Sequence, residues 1–308
     1  MHIIENYVQN LITNLPKKSE PENINLILDG GMFNGSYLIG ALYFLREMEK
    51  QKYVTVHKIS CCSIGSICAI LYKIDAMDLM SDLYNIFLKQ FKETRHFNAF
   101  KSCLEKIKER ILISCGNEFN LKLYNSLYIT YYDIKKGKKI IKNKYKSIDE
   151  LIDTIYKSCF VPFIVDGKMV YKKRYCDGFN PYIFPTESNK KTLYLDLFSS
   201  DKIHYMVSIK NEKNNFHRIL SGLLDIHLFY IKQNSTQICS YVNQWTLYQT
   251  FHNRILKWFI ERTIFYIVYI AFYLKQYIPN ELCEHIIFKI VSKIIKELYI
   301  IVIDYYCF

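Results

Sequence analysis

Ile24-Asn25-Leu26-Ile27-Leu28-Asp29-Gly30-Gly31-Met32-Phe33-Asn34-Gly35 runs from an apolar stretch straight into a glycine-rich turn. A short apolar run bounded by turn residues reads as a buried strand. The spacing of Leu38, Leu42, Leu45 and Met48 then predicts a helix over 36–50, with its charges at the far end. The same unit follows again: Val54 to Cys62 reads as a second strand, and Ile64 to Tyr72 as a helix that starts directly from it. Two strand–turn–helix units in succession predict an α/β fold with a largely parallel sheet.

Away from this core the signals are coarser. Residues 1–23 read as a short helix and a polar linker, and residues 75–113 are helical in period. Ser126 to Tyr132, Met169 to Cys176, Leu193 to Leu197 and Tyr205 to Ile209 are strand-like. Ser147 and Glu150, three residues apart, have the form of a capping box for a helix running to Ser158. After about residue 215 the chain reads as helical to its end, and there is no internal repeat. The expected division is 1–23 as an N-terminal helix and linker, 24–210 as the α/β domain, and 211–308 as a helical C-terminal region.

Half of the 308 residues are hydrophobic and 23% are charged, which allows a sizeable core and excludes a disordered or collagen-like chain. The 27 tyrosines accompany abundant Ile, Lys and Asn, a coding bias that strips individual tyrosines of functional weight. The net charge of +12 favours anionic partners. No nucleic-acid motif is present, so none is expected as a partner. Lys135-Lys136-Gly137-Lys138-Lys139 reads as a solvated turn. The ten cysteines lack zinc spacing and there is no EF-hand loop, so neither metal nor cofactor is expected. Met1 to Lys18 has no continuous apolar core of the signal-peptide kind, and the cysteines read as reduced thiols of an intracellular protein, cytoplasmic or peripheral to membranes.

Three short motifs carry chemistry. In Cys61-Cys62-Ser63-Ile64-Gly65 a serine is pinched between strand and helix, with small residues two before and two after, as in a nucleophile elbow. Such a turn exposes the hydroxyl and aims a helix N-terminus at developing negative charge. In Asp29 to Gly35, three of the chain's ten glycines fall within six residues. Successive amides of a glycine-rich turn can point into one cavity and hold an oxyanion. A dinucleotide fingerprint would need an acidic residue at the end of the second strand, where Ser63 stands instead. In Tyr175-Cys176-Asp177-Gly178 a carboxylate precedes a glycine at a strand end, whereas Asp166-Gly167 reads as a hairpin turn.

In the order glycine loop, serine elbow, aspartate, these motifs resemble the patatin-like phospholipases, whose pattern is D-G-G-G-x-R-G, then G-x-S-x-G, then D-G-G or D-G-A. The segment Ser158-Cys159-Phe160-Val161-Pro162-Phe163 resembles the family's approach to its last motif, and the likeness spans about residues 24–187. It implies a patatin-like three-layer α/β/α fold and a lipid acyl hydrolase of the phospholipase A or lysophospholipase type, acting on phospholipid or lysophospholipid. By the same resemblance Ser63 is the nucleophile, Asp177 the general base of a Ser-Asp dyad, and the amides of Gly30, Gly31 and Met32 the oxyanion hole. Asp29, Asn34, Gly35, Cys61, Gly65 and Gly178 complete the motifs. The sequence departs from the pattern at Met32 for the third glycine, Asn34 for the arginine, Cys61 for the first elbow glycine, and Phe179 for Gly or Ala.

Two other readings compete. An α/β-hydrolase triad would pair Ser63 and Asp177 with His204, His217 or His227, none of which carries a local motif; His57 reads as structural. An inactive relative could serve as a membrane-surface or interaction module. Thr263 to Leu274 is an uncharged run too short to span a bilayer and reads as a buried or interfacial helix. Lys289, Lys293 and Lys296 lie apart from Ile287, Ile290, Val291, Ile294 and Leu298, a basic amphipathic pattern compatible with peripheral membrane contact.

Overall fold

A computed structural model describes residues 2–16, 20–116, 123, 125–199, 202–206, 208–209 and 212–277, together with the isolated positions 286, 290, 293, 294, 297, 301 and 305. Strands β1 (Glu22–Leu28), β2 (Val54–Cys62), β3 (Leu127–Asp133), β4 (Lys138–Lys142), β5 (Tyr175–Asp177), β6 (Lys191–Leu195) and β7 (Cys239–Tyr241) form one sheet. Its order is β4-β3-β2-β1-β6-β7, with β5 also on β3. The central ladders β3–β2, β2–β1 and β1–β6 are parallel, while β4, β5 and β7 join antiparallel. Parallel pairing sends the C-terminal ends of β1, β2 and β6 to one edge, so the glycine loop, Ser63 and Asp196 emerge side by side. Ligand sites of open α/β sheets form at such an edge.

Successive strand residues point to opposite faces, and β1 shows it: Ile24, Leu26 and Leu28 face the main core, Ile27 the other side. The main face is covered by α1 (His2–Thr13), α2 (Gly35–Lys50), α3 (Ile64–Lys73), α4 (Leu79–Thr94), α5 (Phe100–Cys115), α6 (Ile148–Ser158) and α7 (Phe216–Lys232). The opposite face is closed by the 182–184 segment with Val242 and Trp245, and by α9 (Lys257–Tyr277), whose Phe265 and Val268 pack on Tyr132 and Cys176. Helices thus cover both faces. A short helix α8 (Leu247–Thr250) and a π-helical turn (Phe251–Leu256) lead into α9. No described helix is long and apolar enough to cross a membrane.

Four expectations about elements are corrected. Met169 to Cys176 is a strand only from Tyr175, because Lys172 and Lys173 both take positive φ, 48° and 53°, and turn the chain back. Tyr205 to Ile209 is not a strand; a 3-10 turn occupies Ile203–Met206. The lysine-rich stretch after Gly137 is not all turn: Lys138–Lys142 forms the edge strand β4, whose lysines suit an unpaired edge. The all-helical stretch after residue 215 is broken by β7, which pairs with β6, so α7 and β7 belong to the α/β body. Ser147 does cap α6, accepting from Glu150 N at 3.1 Å, but the Glu150 carboxylate returns to Lys146 N at 2.7 Å, one residue earlier than a reciprocal box requires.

Helices α2 and α7 touch backbone to backbone. A Cβ on Gly40 would lie 1.8 Å from Ile219 O, and one on Gly222 2.0 Å from Tyr37 O. Helix propensity alone would favour alanine at either position by about 1 kcal/mol. The contact reverses that preference: Gly222→Ala should lower stability by about 1–3 kcal/mol, read as a lowered urea midpoint. An unchanged or raised midpoint would mean the helices are not in backbone contact.

Candidate active site

Ser63 sits at the turn between β2 and α3 with φ 48° and ψ −133°, a conformation that side-chain-bearing residues seldom adopt. Strain of this kind persists only where the surroundings impose it. Three side chains do so here. Ser158 Oγ accepts from Ser63 N at 3.0 Å, and Ser66 Oγ and Cys159 Sγ donate to Ser63 O at 2.5 and 3.0 Å. Gly65 is required by close approach, since a Cβ there would lie 2.7 Å from Asp29 O. Cys61, in place of the first elbow glycine, is accommodated fully buried against Tyr128 O. Helix α3 begins at Ile64, so its N-terminal amides and partial positive charge lie beside Ser63.

The register on β3 brings Asp177 to the serine. Strand β2 ends with Cys62 opposite Thr130, and Asp177 of β5 stands opposite Tyr131, the next residue. Where β2 leaves the sheet through Ser63, β5 takes over its place. Asp177 is buried; its Oδ1 accepts from Phe179 N at 2.7 Å, while Oδ2 has no hydrogen-bond partner. Burial pushes its carboxyl up to about 7, opposed by the Ser63 hydroxyl and the Phe179 amide. The Ser63 hydroxyl thus acts on the Asp177 carboxyl electrostatically, but no hydrogen bond of ordinary geometry joins the two.

The glycine loop abuts the elbow: a Cβ on Gly30 would lie 3.1 Å from Ser63 Cβ. The expected three-amide hole needs correction, because Gly30 N donates to the Asp29 carboxylate at 2.9 Å. The amides of Gly31 and Met32 donate to no acceptor among the described backbone bonds. Met32 takes φ 46° and Phe179 takes φ 55°, so two residues standing where the resembled pattern has small residues adopt left-handed backbone. Gly35 starts α2 against Ile64, and Gly178 passes against Thr130 O. Asn34, where an arginine was expected, is held by one from elsewhere in the chain. Fully buried Arg218 of α7 donates to Asn34 Oδ1 at 2.9 Å, and Asn34 Nδ2 donates to Lys202 O at 2.9 Å.

Sequence reading missed a buried ionic cluster beneath the loop. Lys257 Nζ donates to Asp29 Oδ2 at 2.6 Å, to Asp196 Oδ1 at 2.8 Å and to the Tyr194 hydroxyl at 2.8 Å. Burial alone would lower Lys257 and raise both acids. The two carboxylates outweigh it and raise Lys257, and the lysine in turn holds Asp196 low; Asp29, with a second carboxylate nearby, stays raised. One turn on, buried Glu261 accepts from Asn180 Nδ2 at 2.7 Å and also bonds the Tyr132 hydroxyl and Lys139. Helix α9 thus props both the glycine loop and the Asp177 loop. Its sequence signal was the pair Lys257 and Glu261, one turn apart ahead of an uncharged, largely apolar run.

The histidines lie elsewhere. His217 faces Glu212 at 3.6 Å, His227 packs edge-on to Phe44, and His57 bonds Asn23; the side chain of His204 is outside the described residues. Asp166 forms a local turn, accepting from Lys168 N. Described cysteines are free and buried, and no cluster of metal-ligating side chains occurs among the described residues. Ser63 and Met32 open on an apolar pocket lined by Ile67, Leu83, Phe87, Phe97, Phe100 and Val165 among others.

No protein-family model matches the chain. It is 25% identical over 192 residues to the omega-hydroxyceramide transacylase of Mus musculus, covering 60% of this chain and 32% of the relative. It is 25% identical over 149 residues to that of Homo sapiens, covering 47% and 28%. The chain therefore spans about a third of the length of the curated relatives it matches. Among solved structures it is similar to the heterodimeric complex ExoU-SpcU of the Pseudomonas aeruginosa type III secretion system, with TM-score 0.40 and 15% identity over 72% of this chain and 53% of that one.

Two outcomes test this geometry. Met32→Gly should hold or raise the thermal midpoint, whereas Met32→Val should lower stability by about 1–2 kcal/mol, because a β-branched residue resists positive φ; the reverse order would refute the left-handed turn. Lys257→Met leaves two buried carboxylates without their cation and should cost about 3–5 kcal/mol. Carboxyls whose folded pKa is raised favour the folded state when protonated and lose that contribution as pH rises, so the deficit should be smaller at pH 5 than at pH 8 in urea unfolding. A deficit independent of pH would exclude the ionic clamp.

Proposed function

We propose that this chain is a lipid acyl hydrolase of the phospholipase A or lysophospholipase type, with Ser63 as nucleophile and Asp177 as general base. The observation that carries the reading is the meeting of a strained serine and a buried carboxylate, raised to about 7, beside an apolar cavity. Similarity to lipid transacylases supports an acyl ester as substrate. The apolar lining suits an acyl chain, and the head group stays toward solvent.

Ser63 Oγ attacks the ester carbonyl carbon while its proton passes to Asp177. The carbonyl electron pair moves onto oxygen, where the amides of Gly31 and Met32 and the N-terminus of α3 receive it; one such donor contributes about 3–4 kcal/mol. Collapse breaks the bond to the leaving alcohol, which takes the proton from Asp177, and leaves Ser63 acylated. Water then repeats the cycle through Asp177 and releases fatty acid. A carboxyl near 7 suits both roles, since Brønsted behaviour favours a base matched to the working pH. The transacylase likeness favours a second reading, in which a lipid hydroxyl replaces water in the second half-reaction.

Fatty-acid release from lysophosphatidylcholine is the direct test. Ser63→Ala and Asp177→Asn should each reduce kcat at least about a thousandfold, and the double variant should be little worse, because residues acting as one unit are not additive. The wild-type kcat/KM should rise with pH and level off above about 7, as Asp177 loses its proton. His217→Ala or His227→Ala as inactive as Ser63→Ala would replace the dyad with a triad. A wild type inactive on every ester, with or without an alcohol acceptor, would overturn the proposal.

A further inference from the structure

The helix that props the site is apolar on its outer face, while its inner face carries Lys257 and Glu261 beside the buried Phe265 and Val268. Asn253, Lys257 and Glu261 are buried against the sheet. Ile255, Trp258, Phe259, Tyr266, Ile267 and Ile270, at helical spacing, are each more than half exposed. The outer face of a soluble helix is ordinarily polar. An exposed apolar face of this length marks an interaction surface.

We propose that the outer face of the π-helical turn and α9 docks on a phospholipid bilayer bearing anionic head groups, lying in its interface without crossing it. Three observations favour a bilayer over a protein. The face combines aliphatic side chains with Trp and Tyr, the residues that settle at the membrane–water boundary. Its rim is cationic: Arg254 is exposed and its guanidinium stacks 5.9 Å from Trp245, and that of Arg262 lies 5.8 Å from Trp258. The whole chain carries +12, which draws it to an anionic surface. The expected basic stripe of Lys289, Lys293 and Lys296 falls largely outside the described residues. The proposal extends the lipid-hydrolase reading, because Lys257 and Glu261 on the same helix tie the docked face to the site.

Vesicle sedimentation of the full chain tests it, with phosphatidylcholine vesicles with and without phosphatidylserine. Wild type should pellet with the mixed vesicles and much less with phosphatidylcholine alone, with a blue shift of tryptophan emission. Phe259→Ser combined with Ile267→Ser should weaken binding about tenfold or more through lost apolar burial, and Arg254→Gln with Arg262→Gln several-fold at low salt, a difference from wild type that high salt removes. Ser63→Ala should pellet like wild type, and the Ser double variant should hydrolyse a soluble short-chain ester as wild type does, so docking and catalysis fail separately. Wild type remaining in the supernatant with both vesicles would overturn the proposal, as would a Ser double variant that binds normally. A solution dimer converted to monomer by the Ser double variant would assign the face to a second copy instead.

Discussion

The carbonyl of Thr130 on β3 is the point on which the candidate site depends. Ser158 Oγ donates to it at 2.7 Å and in turn accepts from Ser63 N, so a single serine ties the elbow to the sheet. Gly178 passes so close that a Cβ would lie 2.2 Å from the same oxygen, which seats Asp177 one register position beyond the end of β2. Because β3 is paired on both sides, this spacing is set by backbone bonds and not by flexible side chains. A strand residue advances about 3.3 Å, so consecutive positions on β3 hold Cys62, the neighbour of Ser63, beside Asp177.

Electrostatics finish what the ladder begins. Asp177 lacks a cationic partner and is pushed toward neutrality by burial, whereas Asp29, equally buried, has Lys257. Burial raises both carboxyls; only Asp29 has a lysine opposing that rise, which makes it an anchor for the glycine loop. Buried ion clusters add little net stability, since desolvation offsets attraction. Their effect here is positional: Asp29 uses one oxygen for Lys257 and the other for Gly30 N, fixing where the glycine loop starts.

The departures from the resembled motif are compensated in backbone and in space. Met32 and Phe179 have side chains yet positive φ, so the turn geometry survives at the cost of local strain. The missing loop arginine is answered by Arg218, which also bonds Tyr205 O, Ser208 O and Glu212, gathering the segment before α7 around Asn34. A motif compared letter by letter registers four losses; hydrogen bonds and dihedrals account for three of them, and the small, buried Cys61 for the fourth.

The alternation of strand and helix over 24–72 was legible because periodicity and glycine punctuation are local properties of the chain. The order of the three motifs was legible for the same reason. The strands at 138–142 and 239–241 were not, since an edge strand rich in lysine and a three-residue strand carry no periodicity of their own and exist only through pairing with β3 and β6. Lys257 meets Asp29 across 228 residues, and Arg218 meets Asn34 across 184. No spacing rule reaches that far. The sequence by itself determined which residues could do the chemistry. Only the tertiary structure decided that Gly30's amide is already taken, that Asp177 is buried to a pKa near 7, and that an apolar helix turns Lys257 and Glu261 inward, because burial and partnership depend on what packs alongside.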